Sequence, residues 1–159
     1  MRAAVLTISD GVSDGTREDK SGDLLEELLA AEGYEVERRV VPDEREAIAD
    51  AISDLTGVTR LVLTTGGTGL GPRDVTPEAT TSVLERTAPG IAEAIRADSI
   101  AKTPHALLSR GTAGVVGTTL VVNLPGSPGG CRDGFAVLQP ALEHALELLA
   151  GEPSGHRQT

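Results

Sequence analysis

The chain has 159 residues but only one cysteine, one tyrosine, one phenylalanine, three histidines and no tryptophan. A single cysteine excludes an intrachain disulfide and a zinc site built on cysteines. His105, His144 and His156 are scattered, which argues against a histidine-rich metal centre. With Tyr34 and Phe135 as the only aromatics, the core must be aliphatic. Basic residues are scarce as well: 14 Lys and Arg against 24 Asp and Glu give a formal net charge of −10. A general nucleic-acid binder needs a basic face, so this balance argues against one. It leaves small phosphate esters open, because a local loop can attract them within an acidic protein. Long hydrophobic runs are missing too. The N-terminal MRAAVLTISD holds a strand-like run of only about six residues, too short for a signal-peptide core or a membrane span. The expectation is a cytoplasmic protein with one domain over residues 1–150 and a polar tail over 151–159.

What the chain does have is glycine in a telling place. From Leu61 to Thr76 it reads LVLTTGGTGLGPRDVT: a short apolar strand, glycines at 66, 67, 69 and 71, an Arg73-Asp74 pair, and Thr76-Pro77. Glycines let a backbone bend sharply and aim its N–H groups at an anion. The alternative is a loop that merely turns the chain. A Walker A loop would need lysine where Pro72 stands, and a dinucleotide fingerprint would need its third glycine at that same position. Asp74 would repel a bare phosphate, but is explained if a divalent cation lies between them.

Periodicity places the other elements. Ala3–Ile8 reads as a buried strand and 13–22 as a polar loop. Leu24, Leu25, Leu28 and Leu29 form one helical face that Gly33 stops, and 34–41 alternates as a strand. Pro42-Asp43 opens a helix with Ala47, Ile48, Ala51, Ile52 and Leu55 inward. The strand at 60–65 feeds the glycine loop; helices follow from Pro77 and over about 90–101. A Gly117-Thr118 turn precedes the strand Leu120–Val122, which ends in NLPGSPGG (123–130). A helical segment then carries Cys131, Phe135 and Leu138, and Pro140 divides it from a last helix. Strands separated by helices predict an α/β three-layer sandwich, its mostly parallel sheet covered on both faces. Ligands of such sheets bind beyond the carboxyl ends of the strands. Ser9-Asp10, Pro42-Asp43, Gly66 to Asp74 and Pro125 to Gly130 all belong to that edge.

Together these loops resemble the molybdenum cofactor biosynthesis family, of the molybdopterin adenylyltransferase (Mog/MoaB) type and the matching domain of gephyrin. The shared patterns are Ser9-Asp10, Asp19-Lys20-Ser21-Gly22, Pro42-Asp43, TTGGTGLGPRDVTPEAT (64–80), LSRG (108–111) and NLPGSP (123–128). They occur in order over nearly the whole chain, and the glycine–Asp–Thr-Pro stretch is the specific one. The resemblance implies transfer of AMP from ATP to the terminal phosphate of molybdopterin, with release of pyrophosphate, Mg²⁺ as cofactor, and a homotrimer. By position, Asp43 and Asp74 are the implied catalytic and metal-holding carboxylates. Ser9, Asp10, Thr65, Gly66, Gly67, Thr68 and Gly69 are implied to hold nucleotide and phosphate. Ser109, Arg110, Pro125, Gly126 and Ser127 are implied to hold molybdopterin. The chain stops soon after its last helix, so molybdate insertion is expected from a separate insertion enzyme receiving the product.

Local readings stand beside these roles. Asp43 with Glu46 fits an N-cap in a capping box, and Thr76-Pro77 fits a cap and first turn. Arg73 can meet a phosphate or water. Asp10 and Asp19 can order the first loop by turn hydrogen bonds, and Cys131 reads as a small buried residue. Gly129 and Gly130 predict a loose helix start. The competing functional readings are a silent homologue that binds molybdopterin or nucleotide as carrier or scaffold, and a nucleotide-processing domain of the competence-damage type.

Overall fold

The computed structural model describes residues 1–151; the expected polar tail lies outside them, apart from Gly151. Six strands form one sheet: β1 (Arg2–Ile8), β2 (Glu35–Val41), β3 (Leu61–Thr65), β4 (Arg86–Thr87), β5 (Ala113–Val116) and β6 (Thr119–Leu124), in the order β2-β1-β3-β6-β5-β4. The first four in that order run parallel; β5 pairs antiparallel with β6, and β4 antiparallel with β5. The antiparallel edge follows from Gly117, whose φ of +58° permits the tight turn joining β5 to β6.

Six α-helices accompany the strands among the described residues: α1 (Asp10–Ser13), α2 (Lys20–Ala31), α3 (Arg45–Thr56), α4 (Thr76–Val83), α5 (Pro89–Lys102) and α6 (Pro128–Ala150). Side chains alternate across a strand, so β1 and β3 feed two cores. Ala3, Val5, Leu61 and Leu63 pack with Leu25 and Leu29 of α2, Ile95 of α5, and Phe135, Leu138 and Leu142 of α6. Ala4, Leu6, Ile8 and Val62 pack with Ile48, Ile52 and Leu55 of α3 and Ala79 of α4. Helices therefore cover both faces, and the core is aliphatic apart from Phe135.

Pro140 does not divide α6. Ala136, whose carbonyl would accept the missing N–H, and Pro140 itself are both exposed. Cys131, Phe135, Leu138, Leu142 and Leu146 meanwhile lie in one continuous core, which holds the two halves together. The β2-β1-β3 order is what positions a site. Chain progression reverses on either side of β1, so a crevice opens at the carboxyl ends of β1 and β3.

Candidate active site at the carboxyl edge of the sheet

At that crevice lies a cleft of about 670 Å³, lined by Ser9 after β1, Asp43 after β2, Thr65, Gly66, Gly67 and Asp74 after β3, and Gly126 and Ser127 after β6. Each wall has a local cause. Ser9 caps α1, its hydroxyl accepting from the Val12 N–H at 3.2 Å. Ser127 caps α6 by accepting from Gly130 N–H at 3.1 Å, and a side chain on Gly130 would press on Pro125 and Ser127. That helix start is therefore capped and close-packed rather than loose. The Thr65 hydroxyl donates to the Pro125 carbonyl at 2.7 Å and lies 3.1 Å from Ser21 Oγ; it ties two loops together inside the protein.

The glycine loop is fastened by its carbonyls. Thr76 donates from Oγ1 to Gly66 O (2.9 Å) and from its N–H to Gly67 O (3.1 Å). Arg110 donates from its N–H to Thr68 O and from Nε to Gly69 O, both at 2.8 Å. The Gly66 N–H is itself taken by Leu124 O at 3.3 Å, so the expectation that it serves a ligand is corrected. Among the described residues no acceptor meets the N–H groups of Gly67, Thr68 and Gly69. A backbone whose carbonyls are committed and whose N–H groups are open is an anion cradle. Glycine is required here: Gly66 and Gly67 have φ of +102° and +69°, and a Cβ would strike the Ile8 carbonyl and the Thr76 hydroxyl respectively.

Neither expected helix cap forms. α3 begins at Arg45 with Glu44 in the cap position and no side-chain cap bond, so Asp43 is not its cap. Asp43 instead clasps Asp10: Asp10 N–H donates to Asp43 Oδ2 (2.9 Å) and Asp43 N–H to Asp10 Oδ1 (3.0 Å). Val75 occupies the cap position of α4, because the Thr76 hydroxyl is spent on the glycine loop. Asp74 folds back to accept from Gly71 N–H through Oδ2 at 2.9 Å. Oδ1 of both Asp43 and Asp74 thus meets no donor among the described residues.

Electrostatics separate the acids. Burial holds the Asp43 carboxyl above its ordinary value, and the neighbouring charges of Asp10 and Asp74 add to this. Asp10 is held below its ordinary value, chiefly by Arg73, which grips it through Nε (3.0 Å) and Nη2 (2.9 Å). Arg73 is thus paired with Asp10, and Asp10 turns toward Arg73 and Asp43 rather than lining the cleft. Asp19 caps α2, accepting from Gly22 N–H, Thr7 Oγ1 and Arg38, in keeping with the turn-ordering role. Cys131 is fully buried, and burial pushes its thiol up to about 11, which removes it as a nucleophile.

Ser109, Thr68, Gly69 and Pro125 line a second cavity of about 350 Å³ with Arg96, Lys102 and His105, separated from the cleft by the loop ending in Ser127, which borders both. Arg110 lines neither; its half-buried side chain spends the guanidinium on Gly69 O, Asp74 O and the Glu78 carboxylate. The cleft also presents two cations to which the sequence reading gave no role, Arg17 and Lys20, the latter within the shared Asp19-Lys20-Ser21-Gly22 pattern. Their run looked like plain polar loop, although α2 in fact starts at Lys20. Asp43 and Asp74 fit a magnesium ion only in part. No group of three His, Cys, Asp or Glu among the described residues could hold a metal. Magnesium is commonly bound by one or two carboxylates plus water and substrate phosphate, and this donor set matches that habit.

Comparison with known proteins agrees with this geometry. Residues 4–144 match the family model described as a probable molybdopterin binding domain. The chain is 38% identical to the molybdopterin adenylyltransferase of Helicobacter pylori (strain J99), over 92% of this chain and 86% of that protein. It is 40% identical to the Drosophila melanogaster molybdenum cofactor synthesis protein cinnamon, over 98% of this chain but 26% of that one, and it spans half or less of two further curated relatives. The solved structure of the molybdopterin biosynthesis enzyme MoaB from Thermus thermophilus superposes with a TM-score of 0.87 at 47% identity, covering 96% and 98% of the two chains. With a family model spanning most of its length and a shared fold, the chain belongs to the molybdenum cofactor biosynthesis family, its residues 4–144 forming that family's probable molybdopterin binding domain.

Proposed function

We propose that this chain is a molybdopterin adenylyltransferase, moving AMP from ATP to the terminal phosphate of molybdopterin and releasing pyrophosphate. The observation that carries the reading is the joining, in one cleft, of the open N–H of Gly67 on the glycine loop with Asp43 and Asp74, whose Oδ1 atoms meet no donor among the described residues. Nucleotidyl transfer needs charge neutralisation and alignment more than a strong base. An oxygen of the molybdopterin phosphate attacks the α-phosphorus of ATP, and the bond to the β-phosphate oxygen breaks. The attacker is already ionised at neutral pH, which is why a buried, protonated thiol at Cys131 and a cleft lining without histidine among the described residues are no obstacle.

The Gly67 N–H in the cleft and those of Thr68 and Gly69 at the neighbouring cavity bind phosphate oxygens, with Arg17 and Lys20 in the cleft lining as further positive charge. Asp43 and Asp74 are the residues that would hold Mg²⁺, which when bound screens the phosphates and polarises the bond to the leaving pyrophosphate. Ser109 and the Pro125–Ser127 loop border the second cavity, where the pterin end fits. A cytoplasmic homotrimer that hands its product to an insertion enzyme completes the reading. A sedimentation mass of one chain would remove the trimer.

Purified protein with molybdopterin, Mg²⁺ and labelled ATP should yield adenylylated molybdopterin and pyrophosphate. Asp74→Asn should lower the rate by roughly 100-fold or more. Binding of molybdopterin without turnover by the wild type would leave a carrier instead.

A further inference from the structure

One heavily bonded side chain beside the glycine loop belongs to a residue that lines neither cavity. Arg110 uses all three of its guanidinium nitrogens on the protein: Nε on Gly69 O (2.8 Å), Nη2 on Asp74 O (2.8 Å) and Nη1 on the Glu78 carboxylate. Its own N–H holds Thr68 O at 2.8 Å. Three carbonyls, on both sides of the bend that carries Asp74, are thus gathered by one residue. The backbone on either side of it is fixed in turn by Arg96, whose Nη1 donates to Ser109 O (3.0 Å) and Gly111 O (3.2 Å). Glu78 comes from the first turn of α4, its Oε1 on Arg110 and its Oε2 buried without any partner. A carboxylate oxygen left in that state is tolerated only where the charge it faces is close and held.

We propose that Arg110, seated by Glu78, is a positioning residue: it turns the glycine-loop carbonyls inward, so that the N–H groups face a ligand, and it fixes the backbone of Asp74. This replaces the direct contact to the pterin or its phosphate that the motif resemblance implies for Arg110. It rests on the adenylyltransferase reading only in its kinetic consequence. The fork is essential, because three acceptors in different directions suit a planar guanidinium and not the point charge of lysine.

The test compares wild type, Arg110→Lys and Glu78→Gln by amide hydrogen exchange over residues 66–76 without ligand, and by kcat and KM for ATP in the reaction above. Circular dichroism checks that each variant is folded. The clamp requires exchange in that loop to quicken roughly tenfold in both variants. It also requires kcat to fall more than KM rises, with lysine giving no rescue. A phosphate-binding Arg110 gives the opposite pattern. Arg110→Lys would stay within about twofold of wild type, since the charge survives, Glu78→Gln would be neutral or tighter for ATP, and loop exchange would not change; that result overturns the proposal. If the wild type makes no product, the adenylyltransferase reading falls, and the exchange measurement alone decides for or against the clamp. Should Arg110→Lys not fold, the milder Glu78→Gln carries the same decision.

Discussion

Asp43 illustrates how much a single residue's surroundings matter. On paper it is a helix cap; in the fold its N–H and Oδ2 are locked to Asp10, and its Oδ1 faces the cleft without a donor. Burial and the nearby carboxylates raise it above its ordinary value of 3.8. A carboxyl raised in the folded state binds its proton more tightly there than in the unfolded chain. Its contribution to stability is therefore most favourable below the unfolded value and is lost as pH climbs through the folded one. At neutral pH the charge opposes folding. Asp43→Asn should accordingly raise the melting temperature at pH 7, with the difference shrinking below about pH 4, while adenylylation is lost. Loss of both stability and activity at pH 7 would show that the clasp with Asp10 outweighs the buried charge. Thr76 is the complementary case. Its letters fit a cap as well as they fit anything, yet the nearest needy acceptors in space are Gly66 O and Gly67 O, ten and nine positions back.

Helices were legible where their apolar faces were regular. Leu25 and Leu29 in α2, and Ile48, Ala51, Ile52 and Leu55 in α3, sit buried at the positions their spacing implies. α6 was not, since proline is a local signal and the packing that overrides it is not. The cost of a proline inside a helix, about 3 kcal/mol in an isolated one, is offset by burial of residues on both sides of Pro140. Pro140→Ala should restore an N–H to the exposed face and stabilise the protein by about 1 kcal/mol, less than the full penalty because proline also restricts the unfolded chain. A urea midpoint that falls instead would mean that α6 is bent at Pro140 in a way its packing needs. Strands β4 and β5 escaped notice for another reason. They have two and four residues, pair antiparallel, and carry too little pattern to be seen before a partner is known.

On the scale of the whole molecule, the sheet is both core and scaffold. Leu63 lies fully buried in the central strand β3, three residues before Gly66 of the glycine loop, among the residues packed by α2, α5 and α6. Leu63→Ala should cost about 3 kcal/mol through lost transfer energy and the cavity left behind, seen as a lower urea midpoint with an unchanged slope. Composition and periodicity by themselves determined an aliphatic α/β core, the glycine turn, and that four polar loops share the carboxyl edge. These depend on backbone conformation and on which residues avoid water, and both are written locally. The tertiary structure decided everything that depends on distant partners: that Thr76 and Arg110 hold the loop carbonyls, that Arg73 belongs to Asp10, and that Arg17 and Lys20 enter the cleft. A polar side chain bonds whatever the fold brings within about 3 Å, and that neighbour is set by strand order, not by its place in the sequence.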